Sequence, residues 1–155
     1  MKLLLTIIIL FLLNNTLSAR PDIKFKHIRV QDGISQSWVK CIFQDSHGFL
    51  WFGTAEGINK YDGTTFQIYK HDPGNKYSLS NNLVNVIFED SRGILWVGTQ
   101  SGINFYNRDK DQFERYPALH SEYINDFVEL NDGRIVIAHN SGLYLMDNTE
   151  ALSGN

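Results

Sequence analysis

The stretch Asp45-Ser46-His47-Gly48-Phe49-Leu50-Trp51-Phe52-Gly53-Thr54 returns 45 positions later as Asp90-Ser91-Arg92-Gly93-Ile94-Leu95-Trp96-Val97-Gly98-Thr99. A chemical site is usually written once, whereas a unit that stacks on copies of itself is written repeatedly. Anchoring on glycine reveals a third copy. Gly48, Gly93 and Gly133 are each followed by a second glycine, Gly57, Gly102 and Gly142, and then by Ile58, Ile103 or Leu143. The copies stand 45 and 40 residues apart with no helical patterning, which fits β-propeller blades of about four short strands each.

The first copy divides into strands and turns by residue type. Val39 to Gln44 is rich in β-branched and aromatic side chains, and Asp45 to Gly48 is a turn. Phe49 to Thr54 follows as a second strand, Ile58 to Tyr61 as a third and Thr65 to Tyr69 as a fourth, with Asp62-Gly63 as a tight-hairpin signal between the last two. The second copy repeats this as Val84 to Glu89, Ile94 to Thr99, Ile103 to Tyr106 and Phe113 to Tyr116. In the third, Ile124 to Leu130, Arg134 to Ala138 and Leu143 to Met146 are visible. The expected fold is all-β: four-stranded antiparallel propeller blades in an incomplete ring of about three, since closure takes about 4 to 8 blades.

Second strands with apolar residues on both faces, such as Phe49 to Gly53 and Ile94 to Gly98, must be covered on both faces. Stacking blade on blade provides that cover. The pairs Gly53-Thr54 and Gly98-Thr99 then mark close backbone approach, and Trp51 and Trp96 fill the space between sheets. Cys41, alone in the chain, lies in a strand-like run and reads as a buried filler.

The remaining segments follow from these blades. Residues 1–19 have the plan of a secretory signal peptide, with Lys2, an apolar run from Leu3 to Leu13 and a tail ending at Ala19. That apolar run is shorter than the about 20 residues a spanning helix needs. Residues 20–38 form a lead-in and possible closing strand, 39–69 a blade, 70–83 an inter-blade loop, 84–116 a blade, 123–147 a partial or divergent blade, and 148–155 a truncated tail. Export without a disulfide suits the bacterial periplasm. A net charge of −3 without a Lys/Arg cluster speaks against nucleic acid and anionic membrane as partners.

The runs Ile42 to Thr54 with Gly57 to Gly63, and Ile87 to Thr99 with Gly102 to Tyr106, resemble the two-component regulator propeller repeat. The lead-ins Asp32-Gly33-Ile34-Ser35-Gln36-Ser37 and Tyr77-Ser78-Leu79-Ser80-Asn81-Asn82 resemble the segments that open such units. The third copy departs from the pattern, with Val136 in place of tryptophan and Ala138-His139 in place of Gly-Thr. The resemblance implies a piece of a periplasmic, ligand-binding sensor domain of a hybrid histidine kinase, whose kinase and response-regulator parts are not in these residues. It also implies an oligosaccharide or other periplasmic ligand, and the remaining blades of a longer protein as packing partners. An isolated three-blade arc exposes open sheet faces and is expected to self-associate.

The search for chemistry favours binding over catalysis. Asp45 and Asp90 occupy the same slot in successive copies, as turn caps do and catalytic pairs do not. Asn107 to Asp111 has the oxygen spacing of a calcium loop, but Gln112 and Ala118 stand where glycine and an acid are required, so a solvated hairpin loop is expected. The five histidines form no ligand-spaced pair, and no motif calls for a metal, cofactor or catalytic residue. Positions that agree between copies are scaffold: Asp45, Gly48, Trp51, Gly53 and Gly57, and again Asp90, Gly93, Trp96, Gly98 and Gly102. Positions that disagree are where specificity would lie. Trp38, whose counterparts are Leu83 and Tyr123, stands at the start of a first strand, on the face that also carries Gln36, His71 and Asn82. Those four are the candidate ligand-binding residues, an aromatic plate with polar neighbours suited to a sugar. The competing account has Trp38 only capping blade packing. Two other functional classes stay open: a propeller lyase or glycosidase with its catalytic residues in other blades, and a protein-interaction scaffold.

Overall fold

The computed structural model describes residues 24–147; the expected signal peptide and the 148–155 tail lie outside these residues. Among the described residues eleven strands form three antiparallel sheets. The first contains β1 (Val39–Gln44), β2 (Leu50–Thr54), β3 (Gly57–Tyr61) and β4 (Phe66–Tyr69) in that order. The second contains β5 (Val84–Glu89), β6 (Leu95–Thr99), β7 (Gly102–Asn107) and β8 (Gln112–Arg115), and the third β9 (Ile124–Glu129), β10 (Ile135–His139) and β11 (Gly142–Met146). The sheets are stacked as an open arc, with β1 against β5 and β5 against β9. The lead-in holds a short 3₁₀ turn at Val30–Asp32 and no strand among its described residues.

The opening motif is a self-capping turn. Asp45 Oδ1 accepts from the amides of His47 (3.0 Å) and Phe49 (2.9 Å), and Asp45 Oδ2 accepts from the Trp51 indole N–H (2.9 Å). Asp90 does the same for Arg92 (3.0 Å), Ile94 (2.9 Å) and Trp96 (3.1 Å). Because the aspartate holds the amides of Phe49 and Ile94, these residues belong to the turns and the strands start one residue later than their apolar side chains suggest. Thr65 is displaced for the same reason: its amide donates to Asp62 Oδ1 (2.7 Å), and β4 starts at Phe66. Gly48, Gly93 and Gly133 close these turns with φ of 89°, 79° and 84°, a region that strains any residue with a Cβ. The third copy has Leu130 in the aspartate's place and Val136 in the tryptophan's. Its turn keeps the backbone bonds, Leu130 N to Arg134 O and Gly133 N to Leu130 O, both 2.8 Å. Acid and indole are lost together, as expected of two groups that satisfy each other.

Each motif also reaches into the next blade. Trp51 is fully buried between the first and second sheets among Val84, Ile87, Leu95, Tyr106 and Phe113. Trp96 is fully buried between the second and third among Ile124, Phe127 and Ile135. A Cβ on Gly53 would lie 2.4 Å from Cys41 Sγ and 2.7 Å from Val84 Cγ1; on Gly98, 2.5 Å from Ile124 Cγ2 and 2.6 Å from Val86 Cγ1. The glycine therefore sits where the next blade's first strand crosses closest. Ser46 donates through amide and hydroxyl to Glu89 (2.6 and 2.9 Å), and Ser91 to Glu129 (2.8 and 2.6 Å), linking each turn to the end of the following blade's first strand. Burial in the first of these joints pushes the Cys41 thiol up to about 11, the behaviour of a packed, unreactive cysteine.

The lead-ins are part of the blades they precede. Buried Asn59 accepts from the Ser35 amide (2.7 Å) and donates to the Ser35 hydroxyl and to Phe52 O (2.9 and 3.2 Å). Buried Asn104 makes the matching set with Ser80 and Val97 O (2.8, 2.9 and 3.4 Å). Ile34 and Leu79, both buried, anchor the same segments.

Candidate functional site

Antiparallel order brings the start of β1, the β2–β3 turn and the end of β4 to one end of the first blade, and the other blades align with it. The register pairs Val39 with Thr54, Val84 with Thr99 and Ile124 with His139, so Trp38, Leu83 and Tyr123 are true counterparts at the heads of the inner strands. Their surroundings differ. In the second and third blades a turn amide is held by the carbonyl of this residue, Gln100 N to Leu83 O (3.0 Å) and Asn140 N to Tyr123 O (3.1 Å). In the first blade the matching amide, Ala55 N, is held instead by the side chain of Gln36 through Oε1 (3.2 Å). Trp38 is 63% exposed, whereas the other two tryptophans are at 0%.

Around Trp38 the inner strands bring together residues that the candidate set lacks. The Lys40 ammonium donates to Asn85 Oδ1 (2.6 Å) and to the Tyr123 hydroxyl (3.2 Å), and that hydroxyl donates to Asn85 Oδ1 (3.0 Å). The ammonium lies 5.8 Å from the centre of the Trp38 ring and 5.7 Å from that of Tyr123. Asn85 Nδ2 donates to Ile124 O (3.1 Å), fixing the group across all three blades. Lys40 and Asn85 share one slot of the repeat, and their disagreement is the sequence signal that would have found them.

His71 and Asn82 are brought together, and their bonds hold the loop to itself and to its neighbours, with His71 Nδ1 also 3.4 Å from the Arg115 guanidinium. The His71 amide donates to Asn82 Oδ1 (2.7 Å), and His71 Nδ1 lies 2.6 Å from Leu79 O. The carbonyl of Asn82 accepts from Gly57 N (2.8 Å), tying the loop to the β2–β3 turn. Of the four candidates, Trp38 alone presents a large exposed surface at this end, while the named atoms of Gln36, His71 and Asn82 shape the loops beside it.

The carboxylates elsewhere serve the joints. Arg108 donates to Asp45 Oδ2 (2.9 Å) and Glu89 Oε1 (2.8 Å), bridging the first and second blades. Burial would raise the Asp45 carboxyl, but the bonds from Trp51, Arg108 and Phe49 outweigh it and hold its pKa below the ordinary carboxylate value. The Asn107–Asp111 segment is the β7–β8 hairpin turn, exposed at Asp109 to Asp111, and it also makes contacts across blades. Asp111 reaches back to the first blade, accepting from Gln67 (2.6 Å) and Tyr69 (2.5 Å) as well as from Tyr106. Burial and the bond to Asp111 both push the Tyr69 phenol up.

Fold and repeat chemistry together define the class: a run of β-propeller blades joined head to tail. Residues 33–56 and 78–101 both match the two component regulator propeller family, each match running from a lead-in through the β2–β3 or β6–β7 turn. Both matched segments begin in the lead-ins that Asn59 and Asn104 clamp.

The chain is also similar to extracellular domains of B. thetaiotaomicron. One, described as belonging to a one component system, is 25% identical with a TM-score of 0.72, over 85% of this chain and 20% of that one. Another, of a hybrid two component system, is 26% identical with a TM-score of 0.51, over 81% of this chain and 25% of that one. A stretch of 56 residues is 50% identical to Histidine kinase P4 of Formosa agariphila, covering 36% of this chain and 4% of the kinase. A virginiamycin B lyase of Staphylococcus aureus shares the fold alone, at 17% identity and a TM-score of 0.52. The chain thus spans about a quarter or less of these extracellular domains and a few per cent of the kinase that it resembles.

Proposed function

We propose that this chain is part of an extracytoplasmic propeller sensor of a two-component system, exported to the periplasm by residues 1–19, which binds an oligosaccharide and controls a kinase elsewhere in the same protein. The blades at 39–69, 84–116 and 123–147 would stack on further blades of that protein. The observation that carries the binding reading is the exposure of Trp38 at the heads of the inner strands. An indole plate bordered by the polar loops of Gln36, His71 and Asn82 suits a sugar ring, apolar on its face and hydroxylated at its edge. Extracellular domains among the relatives and the kinase similarity support the signalling context.

Tryptophan fluorescence tests this, because Trp51 and Trp96 are sealed from solvent while Trp38 is exposed, and a Trp38→Phe control isolates its signal from that of other blades. The complete sensor domain titrated with a glycan panel should show a saturable change in emission and reduced acrylamide quenching, both absent in Trp38→Phe. No response to any glycan would favour an interaction scaffold instead.

A further inference from the structure

Among the described residues Lys40, Lys60 and Arg115 are half-buried cations without a carboxylate at ion-pair distance, Lys60 bonding to the Tyr106 hydroxyl and Arg115 to Ser78 oxygens, and Lys40 is the one that lies over the exposed Trp38 ring. Arg92, Arg108 and Arg134 each face a carboxylate at 2.7–2.9 Å. Among the described residues no carboxylate lies within ion-pair distance of Lys40, although the side chain is half-buried. Its two bonds, to Asn85 Oδ1 and the Tyr123 hydroxyl, go to neutral oxygens and hold the ammonium in one place. An ammonium has three N–H donors, so one remains. A fixed, partly desolvated cation without a counter-charge favours an incoming anion. The ammonium lies over the Trp38 ring, 5.8 Å from its centre, and Trp38 is 63% exposed.

We propose that this cluster is an anion subsite and that the ligand is an acidic oligosaccharide carrying uronate residues. The proposal rests on the sensor reading above and adds the charge of the ligand to it. A uronate presents both complementary features within one ring: a C–H face that stacks on Trp38 and a ring-edge carboxylate that reaches Lys40. Asn85 and Tyr123 are positioning residues, holding the ammonium beside the indole. A free anion without a sugar ring would meet Lys40 but leave Trp38 uncovered.

The test compares each acid with its own uncharged form. Oligomers of galacturonate, glucuronate and mannuronate, and the methyl ester of each, are titrated into the full chain while Trp38 emission and acrylamide quenching are followed. At least one acid should bind about tenfold or more tightly than its ester, a difference of about 1.4 kcal/mol. Affinity for the acid should fall with added salt, as expected of a charge contact. Lys40→Met should abolish the preference of acid over ester while leaving near-ultraviolet circular dichroism unchanged, and Lys40→Arg should retain it. If an ester binds as tightly as its acid, or if only neutral glycans bind, the anion subsite is overturned and the sugar-sensing reading survives. If no acidic or neutral glycan binds, both are overturned.

Discussion

The pairing of Asp90 with the Trp96 indole can be measured by a double-mutant cycle. The Asp90 side chain is fully buried, and alanine in its place strands the indole N–H, which sits in a dry core. An unsatisfied buried donor costs about 1–3 kcal/mol. Loss of the bonds to the Arg92 and Ile94 amides adds about 1 kcal/mol, by analogy with other side-chain caps. The Arg92 guanidinium is partly exposed and returns to water, so no buried charge is left behind. Asp90→Ala is therefore expected to cost about 3 kcal/mol. In a Trp96→Phe background the indole donor is already gone, and the same change should cost only about 1 kcal/mol, giving a coupling of about 2 kcal/mol. Urea unfolding followed by far-ultraviolet circular dichroism reads all four proteins without relying on tryptophan emission. Additivity within about 0.5 kcal/mol would refute the claim that acid and indole form one unit.

Three further outcomes follow from the joints. Gly98→Ala should lower stability by about 1–3 kcal/mol, because its Cβ meets both Ile124 and Val86, whereas Gly74→Ala, in an open loop, should be nearly neutral in the same urea assay. The folded-state pKa of Asp45 lies below its unfolded value, so its stabilisation is complete above about pH 4 and is lost as the pH falls through the folded value; thermal melts should show a decline on acidification that Asp45→Asn flattens. The outer sheet faces expose Ile42 at 65% on the first blade and Leu143 at 74% on the third, so the isolated chain should associate with rising concentration in size-exclusion chromatography, and a sharp monomer at all concentrations would contradict this.

The strands were legible because the repeat supplies three aligned readings of one pattern, and β1 and β5 have the expected limits to the residue. Three limits were missed where a side chain overrides the apolar pattern: Phe49, Ile94 and Thr65 look like strand but have their amides tied to an aspartate. The role of the lead-ins was hidden because Asn59 and Asn104 read as ordinary polar positions until the fold buries them beneath Ser35 and Ser80. Trp38 was visible as a tryptophan that its copies replace with Leu83 and Tyr123. That Asn85 and Tyr123 would meet Lys40 was not, since they lie in other blades and only the stacking of inner strands brings them together.

The serine-to-glutamate link gives the arc a polarity. The serine always belongs to the leading blade and the glutamate to the trailing one, so this joint is heterologous and cannot be satisfied by two identical faces meeting about a twofold axis. A second copy continuing the arc would set Asn131, the third blade's residue in the serine position, against Gln44, the first blade's residue in the glutamate position. Two neutral amides would then stand where every internal joint has a hydroxyl facing a carboxylate. Propagation of the chain by itself would lack that latch, and association through the bare apolar faces would have no fixed register.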